Sequence, residues 1–341
     1  MYRTPNNTMY CVYDLAIAPI TFDFMHFAVI SEMARAANNY QYVHFIFTLD
    51  ADRRWRMHTP KDKALSVEDK MYRLRNIIQP IAEMIPSYAG HSIYLDRIEA
   101  AKELAALIPQ MIFPPQYHIN NPSSMFMLSQ VTDVYLQCKN KELDVTPDCL
   151  VPSAVGKDKA FQWCKTNDVD VNKLVTITVR QWDVEPDRNT NIESWKRFAK
   201  NIQKDGWQPV FLVDTDQAMI HDAGSLKDMK IYWPGPINLE LRLALYDLAA
   251  YNLSHNGGPA ALNFFLPGSK YLQYVPIDSI PKVVENEGEA GIERLLGIKK
   301  GETYDFAGES KQYVWEKATA TNIYKKFNEF IAQFPHEDQD I

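Results

Sequence analysis

The segment SHNGGPA, residues 254–260, is the stretch of this 341-residue sequence best suited to chemistry. Adjacent Gly257 and Gly258 let backbone N–H groups approach a ligand closely. Pro259 suits the first turn of a following helix, whose N-terminus favours a phosphate. On this reading His255, Asn256, Gly257, Gly258 and Pro259 form a ligand loop; the competing reading is a plain Gly-Gly-Pro turn. A second candidate is TITVRQW, residues 176–182, where Arg180 follows an apolar, β-like run. Ligands of open α/β sheets collect beyond the carboxyl ends of strands, and a guanidinium there can grip a diphosphate with paired donors. Otherwise Arg180 is a surface residue or pairs with Asp183, Glu185 or Asp187. Asp214 and Asp216 follow the run PVFLV at the same edge, either as acceptors for ribose or sugar hydroxyls or as turn residues.

Near the N-terminus, Asp14 lies within or near the first strand-like run and Asp23 opens the helical segment after it. A carboxylate at that place can take a proton from a hydroxyl, or it can serve the helix dipole. Arg53, Arg54, Arg56 and His58, with Lys61 and Lys63, make a basic stretch that is either an anion-binding surface or a solvated loop. No P-loop, zincin, nucleophile-elbow or GxGxxG pattern occurs. The eight histidines have no metal-ligand spacing, and the four cysteines include no CxxC pair, so no metal is expected.

The elements that must position these residues alternate. Residues 9–18 and 41–49 read as strands around a helix over 21–37. A helix over 66–85 starts at Ser66 as N-cap and is bent by Pro80. Short strands at 92–95 and 111–113 flank a helix over 96–107, and a further helix spans 125–138. The pattern restarts with strands at 174–179 and 209–213 around an amphipathic helix at 191–204. A short strand at 230–233 and a helix over 239–253 follow, then a strand-like or short helical run at 260–266, a short helix at 288–296 and a last helix over 319–334. This rhythm gives an α/β fold of two Rossmann-like open-sheet domains facing a cleft. The domains are 1–165 and 166–318, and the 319–341 segment is placed as a helix crossing back to the first.

Hydrophobic residues at 46% supply ample core, and the net charge of −7 disfavours non-specific binding of long nucleic acid. The N-terminus lacks the signal-peptide pattern and no apolar run is long enough to span a bilayer. The expected location is the cytoplasm, with peripheral attachment at the inner membrane surface left open.

The stretches 176–182 and LRLALYDLAAYNLSHNGGPAAL, residues 241–262, resemble the nucleotide-sugar-binding half of GT-B glycosyltransferases, closest to the bacterial heptosyltransferase-like group. The resemblance covers about 90 residues, from Val175 to Phe265. It implies that residues 256–259 line a donor diphosphate, beside Arg180, and that Asp23, with Asp14 second, is the catalytic base. The implied reaction moves a sugar from a nucleotide-diphosphate donor to a hydroxyl acceptor, glycan or lipid-linked, in surface glycan synthesis, with no cofactor. This chain carries His255-Asn256-Gly257 where the group places an acidic residue and Ser or Thr before Gly-Pro. A nucleotide-sugar epimerase and a non-catalytic nucleotide-sugar or glycan-binding protein are the alternatives.

Overall fold

The computed structural model describes residues 7–182, 186–214, 223–275 and 288–337. Two compact units divide the chain: Met1–Leu150 with Leu295–Gly297, and Val151–Arg294 with Ile298–Ile341. The division falls earlier than residue 165 because the helix Ala154–Thr166 packs on the helix Leu239–Leu248 of the second unit. The Ser153 hydroxyl donates to Glu240 there, and Lys157 pairs with Asp247 at 2.7 Å.

In the first unit, strands β1 (Thr8–Asp14), β2 (Tyr42–Thr48), β3 (Tyr88–Tyr94) and β4 (Ile112–Phe113) form a parallel sheet in the order β3-β2-β1-β4. β1 is buried along its whole length, as a central parallel strand covered on both faces must be. The helix Phe24–Ala37 packs aromatic edges onto the sheet, with Phe24 5.5 Å from Phe45 and Phe27 5.9 Å from Phe113. Residues 66–83 open on a reciprocal cap between Ser66 and Asp69. The helix then loosens into a π-turn at Leu74–Ile78, and the Gln79 N–H donates back to the Leu74 carbonyl. The wider turn lies just ahead of Pro80, whose ring and missing N–H disturb regular α-helical bonding.

The second unit carries β5 (Leu174–Thr178), β6 (Gln208–Leu212), β7 (Lys230–Ile231), β8 (Tyr251–His255), β9 (Tyr271–Tyr274) and β10 (Lys311–Val314). They form one parallel sheet in the order β10-β9-β8-β5-β6-β7. The amphipathic helix Ile192–Lys204 buries Trp195, Phe198, Ala199 and Ile202 and is followed by Gly206 at φ +93°. The left-handed backbone there is one that glycine adopts without strain.

The helix expected over 239–253 stops at Leu248, and residues 251–255 are instead the central strand β8. Asn252 explains the change of element. Its amide accepts from Thr176 Oγ1 at 2.5 Å and donates to the Tyr246 carbonyl at 3.0 Å and to Ser269 Oγ at 3.2 Å. A polar side chain buried between β5 and β9 is thereby satisfied, which an apolar-period reading does not anticipate. The final helix Ala320–Gln333 is capped by Thr319 and buries Ile323, Phe327 and Phe330 in the second unit's core, with Phe327 5.6 Å from Phe198. Its apolar stripe is therefore occupied within the second unit. No helix among the described residues is long and apolar enough to cross a membrane.

Candidate functional site

In each sheet the chain leaves a central strand in one direction and later returns to its other side. In the second unit this switch lies between β5 and β8, and the crevice beyond their carboxyl ends is where open α/β sheets take ligands. Arg180 and residues 256–259 emerge at that point.

Arg180 is 8% exposed. Its backbone is clamped by Thr190, whose hydroxyl accepts from Arg180 N at 2.7 Å and whose N–H donates to the Arg180 carbonyl at 2.8 Å. Its guanidinium lies 5.3 Å from the Trp182 ring centroid. The arginine stem runs beside Gly257. On the β6 side, Asp214 Oδ2 accepts from the Gln181 N–H at 2.5 Å, which ties the ends of β5 and β6 together. Asp183, Glu185 and Asp216 lie outside the described residues.

His255 is the buried last residue of β8, and Asn256 Oδ1 accepts from Gln273 Nε2 at 3.3 Å. Gly258 is exposed, and Pro259 opens a six-residue 3-10 helix, Pro259–Phe264. So short an element has little dipole, and what stands beside this turn is the Arg180 stem and local backbone N–H groups rather than the end of a long helix.

Behind the rim lies Arg242, which the sequence reading did not select. It is 1% exposed, and its guanidinium donates to the carbonyls of Val213 at 2.9 Å and Gly235 at 3.2 Å and to Tyr246 Oη at 3.1 Å. Tyr246 in turn shares a 2.6 Å hydrogen bond with Thr178. Arg242 thus fixes the ends of β5 and β6 from below.

In the first unit, Asp14 and Asp23 have opposite surroundings. Asp14 is fully buried at the end of β1. Arg97 grips it at 2.5 and 3.1 Å, Tyr117 Oη donates at 3.1 Å, and the Ala16 N–H donates at 3.0 Å. Burial, with the Asp14 charge adding to it, pushes the Tyr117 phenol well up. A carboxylate so engaged fixes structure and is poorly placed to take a substrate proton. Asp23 is exposed at the N-terminus of the helix Phe24–Ala37 and makes no capping bond; it accepts from Thr21 Oγ1 at 2.8 Å.

One helical turn on, His26 Nδ1 lies 2.9 Å from the Phe126 carbonyl. A carbonyl only accepts, so Nδ1 carries the proton. Burial lowers the His26 pKa, against the raising effect of Asp23 and of the Phe126 bond.

The basic stretch is largely compensated. Arg54 pairs with Asp50 at 2.8 Å and Asp52 at 2.7 Å, and Arg53 lies 3.9 Å from Asp96. Arg56 pairs with Asp62 at 3.4 Å and covers the Phe126 ring. His58 is exposed. Arg56 therefore approaches the Asp23–His26 turn through Phe126, whereas Arg53 and Arg54 serve their own loop. Among the described residues no group of three or more His, Cys, Asp or Glu is placed to hold a metal ion.

No family model matches this sequence, and no curated protein matches it. Solved structures do. The structure of the glycosyl transferase family 9 from Veillonella parvula aligns with a TM-score of 0.53 at 10% identity, over 96% of this chain and 98% of that one. ADP-heptose LPS heptosyltransferase II of E. coli gives 0.47 at 10% identity, over 95% and 99%. E. coli heptosyltransferase WaaC with ADP gives 0.44 at 12% identity, over 94% and 100%. At 10% identity the first of these likenesses shows fold alone: two Rossmann-like α/β units with parallel sheets, consistent with the GT-B architecture.

Proposed function

We propose that this chain handles a nucleotide sugar, and that its reaction is transfer of the sugar from a nucleotide-diphosphate donor to a hydroxyl of a glycan or lipid-linked acceptor. The observation that carries this reading is the placing of Arg180 against the Gly257 turn at the switch point of the six-stranded sheet. A cation and a close-approach backbone turn there complement a diphosphate. As the glycosidic bond to the donor breaks, negative charge grows on the leaving diphosphate, where Arg180 and the backbone of residues 256–259 stabilise it. Asp23, exposed and held by Thr21, takes the proton of the attacking hydroxyl.

The first experiment is a thermal-shift screen of UDP, GDP, ADP, CMP and their common sugar conjugates, with calorimetry on any hit. A ligand that binds the native state raises the melting temperature by mass action. A selective shift with one nucleotide family is the expected result. No shift with any member overturns the reading. Turnover of a bound sugar nucleotide without acceptor would make the chain an epimerase instead, and binding without any turnover a binding protein.

A further inference from the structure

Across β5, β8 and β9 one face of the second sheet is polar although it is buried, whereas Val210 and Leu212 continue it as apolar residues on β6. Side chains two apart along a strand share a face, and here they are Thr176 and Thr178 on β5, Asn252 and Ser254 on β8, and Tyr271 and Gln273 on β9. Thr176 bonds Asn252 at 2.5 Å, Thr178 bonds Tyr246 at 2.6 Å, and Ser254 bonds Tyr271 at 2.6 Å. The exception is Gln273, which is 2% exposed and sits nearest the carboxyl end of β9. Its Nε2 donates to Asn256 in the turn after β8, but its Oε1 is buried with no hydrogen-bond partner among the described residues. A buried acceptor left unfilled beside a ladder of satisfied ones is costly, and a donor group arriving with a ligand removes that cost.

We propose that Gln273 is a specificity-determining residue of this rim, its Oε1 accepting a hydrogen bond from a ring hydroxyl of the bound ligand. The inference rests on the nucleotide-sugar reading and adds to it which strand reads a ring. β9 is the second strand over from β5, roughly 10 Å away at the usual strand spacing. A diphosphate held between Arg180 and the Gly257 turn carries a hydroxyl-bearing ring on each end. The ring on the β9 side falls to Gln273, and the one on the β6 side faces the edge where Asp214 stands.

The test is calorimetry on wild type, Gln273→Met and Gln273→Glu with UDP, GDP and ADP and with UDP-glucose, GDP-mannose and ADP-glucose. Gln273→Met, which removes the acceptor at similar volume, weakens the preferred ligand on the order of tenfold while leaving the melting temperature unchanged or raised. Gln273→Glu keeps an acceptor at the same reach and, measured at about pH 5 where burial holds its carboxyl protonated, also keeps a donor for Asn256 Oδ1 and stays within about threefold of wild type. A loss shared by nucleoside diphosphates and their conjugates assigns Gln273 to the ribose; a loss confined to conjugates assigns it to the transferred sugar. Equal affinity of Gln273→Met and wild type overturns the assignment alone, as does an equal loss in both variants. Wild-type protein that binds none of the six ligands overturns the nucleotide-sugar reading and this assignment with it.

Discussion

The stem of Arg180 lies against Gly257, so that a methyl group added to the glycine would meet the arginine Cβ and Cδ at 3.8 Å. That is ordinary van der Waals separation, and Gly257 is not among the left-handed glycines. Gly257→Ala therefore folds normally, with stability changed by less than about 1 kcal/mol in urea denaturation. A loss of nucleotide affinity in that variant is then a local effect on the turn, and a large loss of stability would contradict the geometry.

Arg180→Ala removes a cation seated directly against that turn. Hydrogen bonds to charged groups contribute about 1.5–3 kcal/mol each, so diphosphate affinity should fall on the order of 10- to 100-fold by calorimetry. Affinity for the parent nucleoside should hardly move. Unchanged diphosphate binding would remove Arg180 from the site.

Asp23→Asn separates chemistry from binding. The carboxylate is exposed and caps nothing, so the melting temperature should hold. Loss of a general base lowers kcat by roughly 10²- to 10⁴-fold while donor affinity persists. A variant with wild-type kcat would show that the proton leaves by another route.

Asp14→Ala should act on folding instead. Deleting one partner of a buried pair leaves the other charge uncompensated, at a cost of about 3–5 kcal/mol. Asp14 is fully buried while Arg97 is only 16% exposed, and Tyr117 loses an acceptor as well. Tyr117→Phe, which removes a single donor, should cost less than Asp14→Ala in the same urea titration. The reverse order would refute the structural role.

Acid should weaken the first unit through its histidines. Burial holds His26, His44 and His91 below the ordinary value of 6.5. Below pH 6.5 the unfolded chain therefore binds more protons than the native state, and stability falls as the pH drops toward the folded-state values. Above 6.5 both states are neutral at these sites and the contribution is flat. His91→Gln should reduce the slope of stability against pH in that window, and an unchanged slope would show that His91 does not contribute.

The sequence revealed the alternation of strands and helices because long apolar periods carry it, as in the stretch from Thr8 to Thr48. It did not reveal β9 and β10, since YLQY and KQYV are short and half polar. β8 was hidden for a related reason: its run continues the apolar pattern of the helix before it, and only the buried bonds of Asn252 show the break. Arg180 and Asp214 stood out because each follows an apolar run that reads as a strand, whereas residues 255–259 stood out only for their adjacent glycines and proline, read as the end of a helix. Gln273 and Arg242 were not, because their roles depend on neighbours distant in the chain. In the basic stretch Arg53 and Arg54 face acids of their own loop and Asp96, pairings that spacing alone does not display.

One short piece of chain has a consequence for how the molecule is made. Leu295–Gly297 belongs to the first unit, and Gly297, at φ +74°, sits where an added Cβ would come within 2.7 Å of Ser129 Cα. At translation rates of about 5–20 residues per second, the ribosome releases Gly297 roughly 10–30 s after Ser129. The second sheet's first five strands emerge in that interval. The half of the molecule that begins to fold first is therefore completed only after most of the second sheet has been made, and a nascent chain arrested before Leu295 leaves the surface around Ser129 bare.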